Sequence, residues 1–161
     1  MNSDATIEVK DTDHLFFKLE LLQESLEKYA LEKNKIWKPN VRSMTKNWLN
    51  MGLRPRAVTR DISWGIELPL DAIKWQQKRV YVWFEAVQGY YTCARVWAEN
   101  YAKHFNHPKG VHAWEDWLIF DSNKKQKHIY FMGKDNIPFH TIIWPALIMA
   151  INSSKSGDDI S

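Results

Sequence analysis

The chain has one cysteine, Cys93, in 161 residues. An internal disulfide and a cysteine-rich zinc site are therefore excluded. Such cysteine usage makes a reducing, cytoplasmic location the default. No apolar run approaches the ~20 residues that a membrane span requires, and no secretory signal opens the chain. Net charge is also scarce. A formal +3 gives only weak reason to expect a polyanionic partner. Internal repeats are absent. What is plentiful is apolar and aromatic surface: 45% of residues are hydrophobic, enough for a core, and nine are tryptophan. The length is that of one domain.

Local patterning divides the chain. Residues 1–12 are polar. Asp13 is placed to cap a helix over residues 14–30, on which Leu15, Leu19, Leu22, Leu26 and Tyr29 share one face. A linker over 33–39 leads to a second helix, capped by Asn40 and stopped by Gly52. Residues 53–71 read as irregular. Arg79 to Phe84 is short, β-branched and aromatic, as a buried strand is. A helix is expected over 85–105 with Tyr90, Ala94, Trp97 and Tyr101 along one face. A turn at 107–110, a short helix at 113–120 and a polar connection at 121–127 follow. His128 to Met132 reads as a second buried strand. Ile137 to Ile151 reads as a last helix that Pro145 should kink or restart. Residues 152–161 are polar and expected to be disordered. His104, His107 and His112 lie near a turn without the spacing of a closed metal site.

Two strands joined by a long helical crossover imply a parallel βαβ unit. In open α/β sheets, ligands bind at the carboxyl ends of the strands. Both strand ends carry chemistry here. The first runs into Glu85-Ala86-Val87-Gln88-Gly89-Tyr90, the second into Gly133-Lys134-Asp135-Asn136-Ile137-Pro138-Phe139-His140. A glycine-lysine-aspartate turn offers close backbone approach, a cation for phosphate and a carboxylate for hydroxyls. The fold class expected is α/β, with a sheet too short to be complete: doubly wound sheets have five or six strands, and no third convincing strand is present.

Three segments carry a resemblance. They are Thr59-Arg60-Asp61-Ile62-Ser63-Trp64-Gly65-Ile66-Glu67-Leu68-Pro69, then Tyr81-Val82-Trp83-Phe84-Glu85-Ala86-Val87-Gln88-Gly89-Tyr90, then Gly133 through Ala146 with Lys134-Asp135 and Phe139-His140-Thr141-Ile142-Ile143-Trp144. In this order and spacing they resemble the methionyl-tRNA synthetases, a branch of the class I aminoacyl-tRNA synthetases, over residues 54–150. The resemblance implies the second half of a Rossmann-like parallel sheet over 53–151, preceded by the mostly helical end of a connective region over 1–52. It implies that Trp83, Ala86, Tyr90, Phe139, His140 and Trp144 line a methionine side chain, and that Arg60 organises the amino-acid end. Gly133, Lys134 and Asp135 would meet ATP, with Lys134 a possible phosphate contact and Asp135 facing the ribose. The implied substrates are methionine, ATP with Mg2+, and tRNA(Met). Physical chemistry agrees with such a pocket. A thioether is polarizable and packs well on aromatic rings. Tyr90 can offer its hydroxyl to the sulfur while His140 holds that hydroxyl. Judged on composition alone, the same aromatics would more often be ordinary core.

Other family signatures are missing from the chain. There is no His-x-Gly-His segment and no Lys-Met-Ser-Lys-Ser loop; Ser153-Ser154-Lys155-Ser156 resembles the latter only superficially. The zinc knuckle of the connective domain and the anticodon-binding domain are missing too. Val87-Gln88 stands where many members have proline and an aliphatic residue. The expectation is an internal fragment of a ligase, inactive alone. The alternative is a non-catalytic synthetase-like module that binds RNA or protein through exposed tryptophans and Arg54, Arg56 and Arg60. A synthetase for another apolar amino acid is a third reading, and the polar pair Tyr90 and His140 argues against it.

Overall fold

The computed structural model describes residues 9–71, 73–119 and 126–156. Its order is β1 (Phe16–Phe17), α1 (Gln23–Lys33), α2 (Pro39–Asn50), β2 (Arg56–Ala57), β3 (Thr59–Arg60), β4 (Arg79–Val80), α3 (Val82–Ala86), α4 (Gly89–Tyr101), α5 (Glu115–Leu118) and α6 (Trp144–Ser156). Single 3-10 turns precede α1 and follow α4, and a π-helix, Phe139–Ile143, leads into α6.

The strands described form two small antiparallel ladders. β1 pairs with β2, Phe16 opposite Ala57. β3 pairs with β4, Thr59 opposite Val80. The parallel pair expected at 79–84 and 128–132 is not found among the described residues. The first expected strand ends at Val80. Beyond it, Tyr81 caps a helical turn instead, because that turn sends Phe84 and Val87 into the core. Phe84 meets Phe17 edge to face at 5.8 Å. Residues 128–132 form no strand, and no described strand pairs with them. Ile129 is 64% exposed and Phe131 95%.

The expected helix over 14–30 is also corrected. Its first third is pulled into β1: the Val58 amide donates to the Leu15 carbonyl, and the Leu15 amide donates to the Thr59 hydroxyl. Pairing across more than forty residues outweighs local helical spacing here. From Leu19 onward the spacing holds, and Leu19, Leu22 and Leu26 are buried as one face. For α2, Lys38 rather than Asn40 is the capping residue, since Pro39 at the first helical position needs no amide partner. Gly52 ends that helix in the left-handed region, at φ 74°. On α4 the buried line runs through Ala98 and on to Ala102, with Ala94 half-buried, while Tyr90 and Tyr101 turn outward. At the other end of the chain, α6 continues to Ser156, five residues past the expected Ile151. No glycine or proline interrupts residues 146–156. The end of the expected disordered tail, 157–161, lies outside the described residues.

One apolar cluster joins the two ends of the chain. Leu19, Leu22, Leu26, Leu49 and Leu53 pack with Val87, Ile142, Ile143, Ala146 and Leu147. Each such leucine contributes roughly 1.5–3 kcal/mol by burial. A polar seam crosses this core: the Thr45 hydroxyl donates to that of Thr141 at 2.9 Å, and Thr141 in turn donates to the Ile137 carbonyl. A smaller cluster holds Ala98, Ala102 and Ala113 between Trp97 and Trp114. Near the start of the chain, buried Lys78 reaches Asp61 and Thr12, clamping residues 12–15 onto β3 and β4.

Candidate functional site

The site forms where α3, the start of α4 and the π-helix meet the turn at 133–136. The π-helix has a local cause. Proline at 145 has no amide to return to the Thr141 carbonyl, and the Trp144 amide reaches back five residues to Phe139. The Thr141 hydroxyl also takes the Ile137 carbonyl. Single π turns of this kind widen a helix and recur at functional sites. Here the widened turn holds Phe139, His140 and Trp144, with Ile142 and Ile143 facing the core. Pro145 therefore restarts the helix, as its position in the sequence predicts.

Phe139 meets the Trp83 ring at 6.1 Å. His140 meets Tyr90: its Nε2 lies 2.7 Å from the Tyr90 hydroxyl. The opposite nitrogen, Nδ1, lies 2.8 Å from the Asn136 carbonyl. A carbonyl only accepts, so Nδ1 carries the proton of a neutral ring and Nε2 is an acceptor. The Tyr90 hydroxyl then donates to His140. What Tyr90 turns to a ligand is its ring and an oxygen lone pair. In this arrangement a hydroxyl offered to sulfur requires both His140 nitrogens to be protonated. Trp83 is 52% exposed and Tyr90 41%, so the aromatic wall faces solvent rather than filling the core.

The remaining candidates fall into four groups. Trp144 is half-buried against the main core. Ala86 is exposed on α3, the helix that also carries Trp83. Arg60 is not part of the wall itself. Its guanidinium stacks 3.7 Å over the Tyr81 ring and donates to the Thr59 carbonyl at 2.7 Å. Tyr81 caps α3, so Arg60 braces the helix that presents Trp83 and Ala86. Gly133, Lys134 and Asp135 are exposed on a 3-10 turn, and the Asn136 amide closes that turn on the Gly133 carbonyl. A side chain at Gly133 would meet nothing within 4 Å. The Asn136 carbonyl ties this turn directly to His140, and hence to Tyr90.

Sequence patterning passed over Tyr81, Asn136, Tyr130 and His128. Tyr130 packs at 5.0 Å from Tyr90 and 5.2 Å from His140. A period of two along 128–132 would have put 128 and 130 on one face, away from Ile129 and Phe131. Burial pushes the Tyr130 phenol above its ordinary range. Among the described residues no group of three His, Cys, Asp or Glu side chains is placed to hold a metal ion. His107 and His112 instead face Asp116 and Glu115. No described helix is long and apolar enough to cross a membrane.

The family model for tRNA synthetases class I (M) matches residues 1–160. The chain belongs to that family. Its relatives named methionine–tRNA ligase include one from Thermoplasma volcanium, 44% identical over 158 residues, covering 98% of this chain and 27% of the relative. Another, from Picrophilus torridus, is 47% identical over 139 residues, covering 86% of this chain and 18% of the relative. One from Roseiflexus sp. is 40% identical over 148 residues, 90% of this chain and 24% of the relative. The chain thus spans about a quarter or less of the length of these relatives. Within a class I synthetase, the wall and the Gly133 turn are the parts of this chain where side-chain chemistry converges.

Proposed function

We infer that this chain is the pocket-bearing segment of a cytoplasmic methionine–tRNA ligase, which joins methionine to ATP as methionyl-adenylate and passes the methionyl group to tRNA(Met). The observation that carries the reading is the hydrogen-bonded Tyr90–His140 pair beside Trp83, Phe139 and Trp144, fastened through Asn136 to the Gly133-Lys134-Asp135 turn. Membership of the class I (M) family and the names of the relatives support it.

In the activation step the methionine carboxylate attacks the α-phosphorus of ATP and pyrophosphate leaves. A carboxylate is already ionised at neutral pH, so no general base is needed. The task of the protein is to position the reactants and stabilise charge. Trp83, Ala86, Tyr90, Phe139, His140 and Trp144 hold the thioether side chain in an aromatic enclosure. Arg60 sets α3 at the amino-acid end. Gly133 leaves its backbone open to close approach by the nucleotide, Asp135 accepts ribose hydroxyls, and Lys134 faces the phosphates, with Mg2+ arriving as the ATP complex. In the longer ligase, the unpaired residues 128–132 take their place as a strand of the Rossmann-like parallel sheet, which pairs the backbone left open here.

The purified 161-residue chain lacks both phosphate-binding signatures and is expected to show no methionine-dependent ATP–pyrophosphate exchange. Measurable exchange would refute that part of the reading. In the longer ligase, Tyr90→Phe and His140→Ala should raise KM for methionine. Wild-type methionine kinetics in both variants would remove the pocket assignment. Salt-sensitive RNA binding without any response to methionine would favour the non-catalytic module instead.

A further inference from the structure

Tyr130 is the one residue of the 128–132 segment whose ring enters the aromatic wall, and no backbone ladder holds it there. Its neighbours Ile129 and Phe131 point to solvent. A side-chain hydrogen bond does the holding. His128 Nε2 lies 2.7 Å from the Trp117 carbonyl and so must carry the ring proton. Nδ1 of that neutral ring is then an acceptor, and the Tyr130 hydroxyl donates to it at 3.2 Å.

The consequence is directional. The one proton of Tyr130 goes to His128, so its hydroxyl has no proton left for a ligand. Its ring, by contrast, meets both members of the Tyr90–His140 pair at once. Tyr90 is anchored at its hydroxyl by His140 and His140 by Asn136, while Tyr130 touches both rings. We propose that Tyr130 is a positioning residue of the methionine pocket: His128 fixes its hydroxyl, and its ring fixes the orientation of Tyr90 and His140. The proposal rests on the pocket reading above and adds a residue that does not itself bind the amino acid by a hydrogen bond.

The test is a kinetic comparison in the longer ligase that carries this segment. Tyr130→Phe keeps the ring and removes the hydrogen bond to His128. It should raise KM for methionine roughly three- to tenfold, the range that one lost neutral hydrogen bond gives. KM for ATP and the thermal midpoint should stay at wild-type values, a split that a general loss of packing would not produce. His128→Phe removes only the acceptor and should move KM for methionine the same way by less. Tyr90→Phe is run alongside as the control on the pocket itself. If Tyr90→Phe raises KM for methionine and both Tyr130→Phe and His128→Phe do not, the pocket stands and the positioning role is overturned. If Tyr130→Phe raises the two KM values together with a fall in thermal midpoint, the role is structural and the proposal is likewise overturned. If Tyr90→Phe has no effect, the pocket reading fails and this proposal fails with it.

Discussion

The main core and the aromatic wall share a helix, yet they are held by different forces. From the same few residues, Ile142 and Ile143 point into a cluster of leucines, while Phe139 and His140 point to a half-exposed wall. The core is maintained by area removed from water, which is non-directional and tolerant of detail. The wall keeps Trp83 and Tyr90 in solvent and fixes its geometry by directed hydrogen bonds: Tyr90 to His140 to Asn136, and Tyr130 to His128. Burial supplies stability, and hydrogen bonds supply orientation. A substitution in one region should therefore register in a different measurement from a substitution in the other.

The largest effect belongs to the core. Ile142→Ala deletes a fully buried side chain and should cost about 2–5 kcal/mol in urea unfolding of the chain. A loss below about 1 kcal/mol would mean that the cluster repacks freely and that the contrast is false. Tyr90→Phe comes next. It removes one half-exposed hydrogen bond and should change unfolding free energy by no more than about 1 kcal/mol, with its main consequence in methionine KM of the longer ligase. A stability loss as large as that of Ile142→Ala would show that the wall is core.

Gly133→Ala sharpens the comparison further. Gly133 has φ −67° and ψ 157°, which alanine adopts readily, and open space where a Cβ would sit. The substitution should leave the chain as stable or slightly more so, by about 0.4–1 kcal/mol. In the longer ligase it should raise KM for ATP, because the added methyl occupies the space assigned to the nucleotide. Unchanged ATP kinetics would detach the turn from the ATP site.

The smallest effect is expected at the clamp between residues 12–15 and β3–β4. Hydrogen bonds from Lys78 and Thr12 hold the Asp61 carboxyl below the usual carboxylate range. A lowered folded value means that the folded state favours the ionised form. The resulting stabilisation is present above the ordinary carboxylate range and is lost as pH falls through the folded value. Acid titration of the wild type should show a small loss of stability below about pH 4, the ordinary range of Asp, that is absent from Asp61→Asn. Identical acid profiles would show that the clamp carries no pH-dependent stability.

Much of the wall was legible in the sequence because its residues lie in two short motifs. Trp83, Ala86 and Tyr90 fall within eight residues, and Phe139, His140 and Trp144 within six. Tyr130 was not legible: its role depends on partners at 90, 117, 128 and 140, which no spacing rule connects. Arg60 was assigned to the pocket end, but only its stacking on Tyr81 shows how it acts on α3.

The same division runs through the fold. The sequence alone determined the end of α2 at Gly52, the restart at Pro145 and the leucine face from Leu19 to Leu26, since each is written within one or two helical turns. Only the tertiary structure decided that residues 14–17 leave the helix for a ladder, that Val80 ends a strand and that Tyr130 enters the wall. Those outcomes depend on hydrogen-bonding groups and apolar surfaces brought together from distant parts of the chain, where the gain from pairing them exceeds any local preference.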